Sequence, residues 1–125
     1  MRAEVAIRGA GPVGCVLALA LHASGKPVAL HGKSPSVEDS ARSALRPIAL
    51  SHASRLILER VGAWRDLPVT PIETVHVSRQ GGFGRARLGA ADAGVPALGY
   101  VVDYGALQQR LFSEAGLAGI PIALS

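Results

Sequence analysis

Six residues near the start of the chain have the types and spacing to hold a dinucleotide: Gly9-Ala10-Gly11-Pro12-Val13-Gly14. In a G-x-G-x-x-G run the first glycine lets the chain turn sharply, the second removes a side chain where a pyrophosphate must approach, and the third lets a helix pack closely on a strand. The run alone is weak, because a chain with 15 glycines can produce one in any loop. Its placement carries more weight. Val5-Ala6-Ile7 precedes it as an apolar strand, and Cys15 to Leu21 follows it as an apolar helix whose amides and positive dipole end would face the diphosphate. The helix is expected to end near Ser24, with Gly25 as the left-handed residue after it, and Pro27 to His31 reads as a second buried strand. The three elements make a βαβ unit of about thirty residues.

One part of the fingerprint is missing. The second strand of such a unit should end in Asp or Glu to bind the adenosine ribose hydroxyls, yet this chain has His31-Gly32-Lys33. A charged hydrogen bond contributes about 1.5–3 kcal/mol, so its loss corresponds to roughly tenfold to a hundredfold in affinity. Glu38 or Asp39 could fold back to replace it.

The chain has 125 residues, enough for one domain with a core. Its aromatics are few, so the core must come from Ala, Val, Leu and Ile, which suits a parallel sheet covered by helices. The net charge is +4, but the 13 Lys and Arg are scattered and no basic run alternates with aromatics, which argues against nucleic acid. Cys15 is the single cysteine, so no internal disulfide can form. It reads as a small core residue. The first strand begins too close to Met1 to leave room for a leader, and the longest apolar stretch is too short to span a bilayer. The expected location is the cytoplasm. His22, His31, His52 and His76 show no metal-ligand spacing, and His76 is expected to be a half-buried strand residue. There is no Ser-His-Asp set and no close carboxylate pair; no catalytic residue is assigned.

Further along, Gly32 to Leu45 is a polar loop, and Ser51 caps a helix in which Ala53, Leu56, Ile57 and Val61 share a face, closed by Gly62. Trp64 anchors the following turn, which Pro68 stops. Thr74 to Ser78 reads as a strand, residues 80–84 as a turn, and Arg85 to Leu88 as a return strand. Ala90 to Pro96 reads as a loop of small residues. Tyr100 to Val102 leads to Asp103, the cap of a helix that buries Leu107 and Leu111 and ends at Gly116. Ile120 to Leu124 would be the third strand of a Rossmann-like sheet. The expected fold is therefore α/β, a Rossmann-like βαβ with a β-hairpin excursion and an incomplete doubly wound sheet. Its parts are 1–70, a nucleotide-binding βαβ and following helix, 71–99, an excursion belonging to a second sheet, and 100–125, a truncated return.

With these motifs in order, the chain resembles the N-terminal part of the class A flavoprotein monooxygenases, and most closely the ring hydroxylases of ubiquinone biosynthesis. The resemblance rests on Gly9 to Gly14, on Arg46-Pro47-Ile48-Ala49-Leu50-Ser51 before a helix ending Val61-Gly62-Ala63-Trp64, on Thr74 to Ser78, and on Leu98 to Val102 followed by Leu107 to Leu111. It covers essentially the whole chain but about the first third of such an enzyme. It implies FAD with its pyrophosphate at Gly9, Gly11, Pro12, Val13 and Gly14, Gly32 at the ribose, and Arg46 and Tyr104 near the flavin. A cation such as Arg46 stabilises an anionic reduced flavin. NAD(P)H would be the reductant and a small aromatic molecule the substrate, with the chemistry supplied by the cofactor. Gly32 stands where most relatives have Glu, and Tyr104 where many have Arg or Gln. A piece of this length is not expected to hydroxylate anything alone. Two other readings remain open: an NADP-dependent dehydrogenase fragment, in which Lys33 and His31 favour a 2'-phosphate, and a non-catalytic module that self-associates through an open sheet edge.

Overall fold

A computed structural model describes residues 3–34, 46–78, 81, 82 and 84–124. The turn from β1 (Val5–Arg8) into α1 (Pro12–Ala23) and on to β2 (Val28–Gly32) is the expected βαβ unit, with β1 and β2 parallel. Both ends of α1 are explained by local chemistry. Pro12 sits in the first turn, where its missing N–H costs nothing, and Gly25 at φ +85° follows Ser24 as the left-handed terminator. The final strand β8 (Ile122–Leu124) pairs in parallel with β2, giving the order β1-β2-β8. The third strand of the parallel sheet thus comes from the far end of the chain.

Between β2 and β8 lie two further sheets. β3 (Pro47–Leu50) leads into α2 (His52–Arg60), which Ser51 caps by accepting the Ser54 N–H at 3.1 Å. β4 (Val69–Ile72), β5 (Thr74–Ser78), β6 (Arg85–Gly89), the short α3 (Ala90–Ala93), β7 (Gly99–Asp103) and α4 (Tyr104–Leu117) follow. β7 is the centre of an antiparallel sheet of order β3-β7-β4, and β5 and β6 form a separate hairpin. β4 and β7 straddle the expected part boundaries at 70 and 99.

Several details differ from the sequence expectations. β3 and β4 were not anticipated, because each has four residues and contains proline, which removes a ladder donor and suits the outer strands these are. Residues 90–93 form a helical turn, with Asp92 accepting the Gly89 N–H at 2.9 Å. In α2 the buried residue is Leu58, while Leu56 and Ile57 are each 51% exposed. His76 is exposed, since no layer covers either face of its hairpin among the described residues. Helix α4 runs one residue beyond Gly116, and Gly119 takes the left-handed turn at φ +82°.

The core lies where α1 and α4 pack together over the parallel sheet. Cys15, Ala18 and Leu19 of α1 meet Leu107, Leu111 and Ala115 of α4, with Val28 and Leu30 of β2 beneath. The small residues let the two helices approach closely. No helix among the described residues is long and apolar enough to cross a membrane.

Candidate nucleotide site

The Gly9–Gly14 turn is built by three different demands. Gly9 has φ +113°, a conformation that side chains disfavour, and its N–H donates to the His31 carbonyl at 2.7 Å, so the turn begins on the end of the sheet. A Cβ at Gly14 would overlap the Gly9 carbonyl oxygen, with Ile7 next nearest, so only glycine lets α1 seat this closely on β1. Gly11 is the N-cap of α1, and a Cβ there would meet nothing nearer than the Tyr104 hydroxyl at 3.8 Å. The corner in front of the helix is therefore open rather than filled.

Electrostatics at this corner favour an anion. No side chain caps α1, and its first turn contains no acidic residue. The first intrahelical bond runs from Cys15 N–H to the Gly11 carbonyl at 2.9 Å, so the amides of Val13 and Gly14 have no helical acceptor. Cys15 itself is fully buried behind the turn, and its Sγ donates to the Ala10 carbonyl at 3.5 Å. Burial pushes the thiol pKa up. It is a core residue, as its place on α1 implied.

Tyr104 and Arg46 reach the corner from the second sheet. They are joined because β3 and β7 pair with Pro47 opposite Asp103. The Tyr104 N–H donates to the Arg46 carbonyl at 2.9 Å, and the Arg46 guanidinium carbon lies 4.6 Å from the centre of the Tyr104 ring. Asp103 ties Arg46 to the start of α4: one carboxylate oxygen accepts the Arg46 N–H at 3.1 Å, the other the Ala106 N–H at 3.1 Å. Gly32 lies on the other side, against Ala10. Of the residues expected at the site, Gly9, Gly11, Pro12, Val13 and Gly14 form the turn and the helix start, Gly32 lies against Ala10, the Tyr104 hydroxyl faces Gly11, and Arg46 joins through Tyr104. Glu38 and Asp39 lie outside the described residues.

Sequence reasoning missed two features. Ala10, which is 5% exposed, packs on Gly32 and fixes that side of the corner. Its small size was the available clue. The second is a cluster around Arg55, which donates to the Tyr100 hydroxyl at 2.6 Å and to Glu59 at 2.9 Å while standing over the rings of Trp64 and Tyr100 at 5.0 and 5.1 Å. Both hydrogen bonds hold its cation and push its pKa up. Trp64 and Tyr100 meet edge to face at 5.0 Å, so Trp64 anchors the turn after α2 as expected. Among the described residues no group of His, Cys, Asp and Glu could hold a metal ion.

Known proteins share parts of this sequence and its fold. Over 73 residues the chain is 37% identical to the ubiquinone hydroxylase UbiM of Neisseria meningitidis. That match covers 58% of this chain and 16% of the relative. In fold it matches the tetrameric form of 2-methyl-3-hydroxypyridine-5-carboxylic acid oxygenase with a TM-score of 0.72 at 22% identity, covering 99% of this chain and 32% of that one. It also matches CtdE, solved in complex with FAD, with a TM-score of 0.64 at 18% identity, covering 99% of this chain and 30% of that one. The chain resembles the FAD-dependent aromatic hydroxylases. It spans about a third or less of the length of each of these proteins. No family model matches it.

Proposed function

We propose that this chain is an FAD-binding portion of a flavoprotein monooxygenase that hydroxylates an aromatic ring, in the manner of a ubiquinone-biosynthesis hydroxylase. The observation that carries the reading is the open corner between Gly11 and Tyr104, facing an uncapped, acid-free helix start. Residues of this kind fit a diphosphate: glycines at Gly9, Gly11 and Gly14 keep the surface bare, and the amides of Val13 and Gly14 are free to donate. Arg46 and Tyr104 would then stand on the flavin side, and Gly32 on the ribose side.

When bound, the flavin would supply the redox chemistry, passing electrons from NAD(P)H to dioxygen so that one oxygen atom enters the ring. The residues here bind and orient. The α1 amides hold the diphosphate, the Arg46 cation favours an anionic flavin, and Asp103 fixes Arg46 through its backbone N–H so that the two chain segments keep their spacing. In this reading 1–70 and 100–125 belong to the nucleotide-binding part and 71–99 to the sheet that faces substrate. Because the chain spans about a third or less of the proteins it matches, it is expected, in this reading, to bind flavin without hydroxylating an aromatic substrate by itself.

Equilibrium titration with FAD, followed by flavin fluorescence quenching, tests the reading. Saturable binding of FAD that is competed by ADP is the expected result. Tighter binding of NADPH with no retention of FAD would replace it with the dehydrogenase reading, which the bare Gly32-Lys33 end of β2 favours.

A further inference from the structure

The absence of a carboxylate at position 32 reads from sequence as a simple loss of one ribose contact. The structure gives it a cause. A Cβ on Gly32 would lie 2.6 Å from the Ala10 backbone nitrogen and 2.8 Å from the Ala10 methyl. The nearer atom is backbone, which cannot swing aside as a flexible side chain does. Ala10 is itself confined: it is buried, its carbonyl accepts the Cys15 thiol, and its neighbour Gly9 is hydrogen-bonded to His31. Any side chain at position 32 therefore has to displace the turn that presents the phosphate-binding amides.

We propose that Gly32 is a positioning residue for the phosphate turn, which closes onto β2 so tightly that this site holds its nucleotide without a ribose carboxylate and is weakened by acquiring one. The inference rests on the FAD reading. It inverts the ordinary expectation, under which Gly32→Glu restores a missing contact and tightens binding. Here the new carboxylate comes with a Cβ that moves Ala10 and the amides beside it. Loss of one charge-assisted hydrogen bond to a diphosphate corresponds to about tenfold in affinity or more.

The experiment compares the dissociation constants of FAD and of ADP for wild type, Gly32→Ala, Gly32→Glu and the double variant Ala10→Gly/Gly32→Ala, with thermal unfolding of each without ligand. Both single variants are expected to bind FAD and ADP about tenfold more weakly than wild type. The double variant, in which the Ala10 methyl is gone and residue 10 can shift, is expected to recover part of the loss, which a general weakening of β2 would not do. Lys33→Ala, at the exposed next position, is expected to unfold as wild type, and where Gly32→Glu does not fold the comparison of Gly32→Ala with the double variant decides. Tighter FAD binding by Gly32→Glu, or unchanged binding by Gly32→Ala, overturns the inference. If wild type binds neither FAD nor ADP, the FAD reading itself falls, a result distinguishable from either.

Discussion

Two residues of the corner, Gly14 and Cys15, stand side by side on α1 with opposite demands on space. Gly14→Ala places a methyl on the Gly9 carbonyl and must lift α1 from β1. Loss of measurable FAD binding together with a lower midpoint in thermal unfolding is the expected outcome. Cys15 is fully buried, and burial raises its pKa from 9.0. A raised pKa means that the folded state disfavours the thiolate. By linkage, this residue's share of stability is complete below the unfolded thiol's pKa and is lost as pH rises through 9.0 toward the folded value. Urea unfolding at a series of alkaline pH values should show that decline in wild type and a shallower one in Cys15→Ala. At neutral pH the thiol should resist alkylating reagents until the chain unfolds.

At the scale of elements, Asp103 links a strand pair to a helix start. Its carboxylate caps α4 at Ala106 and holds the Arg46 N–H across the sheet. Removing it in Asp103→Ala is expected to cost about 1–2 kcal/mol, the range for a lost N-cap, and to free Arg46 from Tyr104. Asp103→Asn keeps an acceptor for either bond and should recover much of that stability, as measured by urea unfolding. The capping roles of Ser51 and Asp103 were legible in the sequence, since a short polar acceptor before an apolar periodic run has few other uses. So were α1, β2 and β5. What the sequence concealed was pairing: nothing in Arg46-Pro47-Ile48-Ala49-Leu50 or in Val69-Thr70-Pro71-Ile72 announces that both lie against β7. The candidate site was legible as residue types, but the meeting of Arg46 with Tyr104 depends on that register and could not be read from spacing.

For the molecule as a whole, the core is narrow and depends on the meeting of α1 and α4. Leu111 is fully buried there, and Leu111→Ala is expected to cost about 2–5 kcal/mol. Outside this contact an apolar groove of about 420 Å³ runs between α1, α2 and α4, lined by residues including Val13, Leu17, Ile57 and Leu107. Val13, on its rim, is 84% exposed. The composition pointed to a sheet covered by helices, and the structure has one. It could not show that an apolar helix face would be left bare, because an amphipathic pattern records which residues are apolar and not what they meet.

The placement of β8 has a consequence for how the molecule is made. The chain leaves β2 at Gly32 and returns to its edge only at Ile122, so two neighbouring strands are joined by everything from Lys33 to Pro121. A pairing between such distant segments pays its loop-closure entropy before any hydrogen bond forms, which slows folding. On a ribosome the Gly9–Gly14 turn and its helix emerge well before β8, the strand that completes their sheet. Refolding from urea should accordingly show fast formation of helical signal and a slower phase in which Cys15 becomes shielded from thiol reagents, the order in which local and remote contacts close.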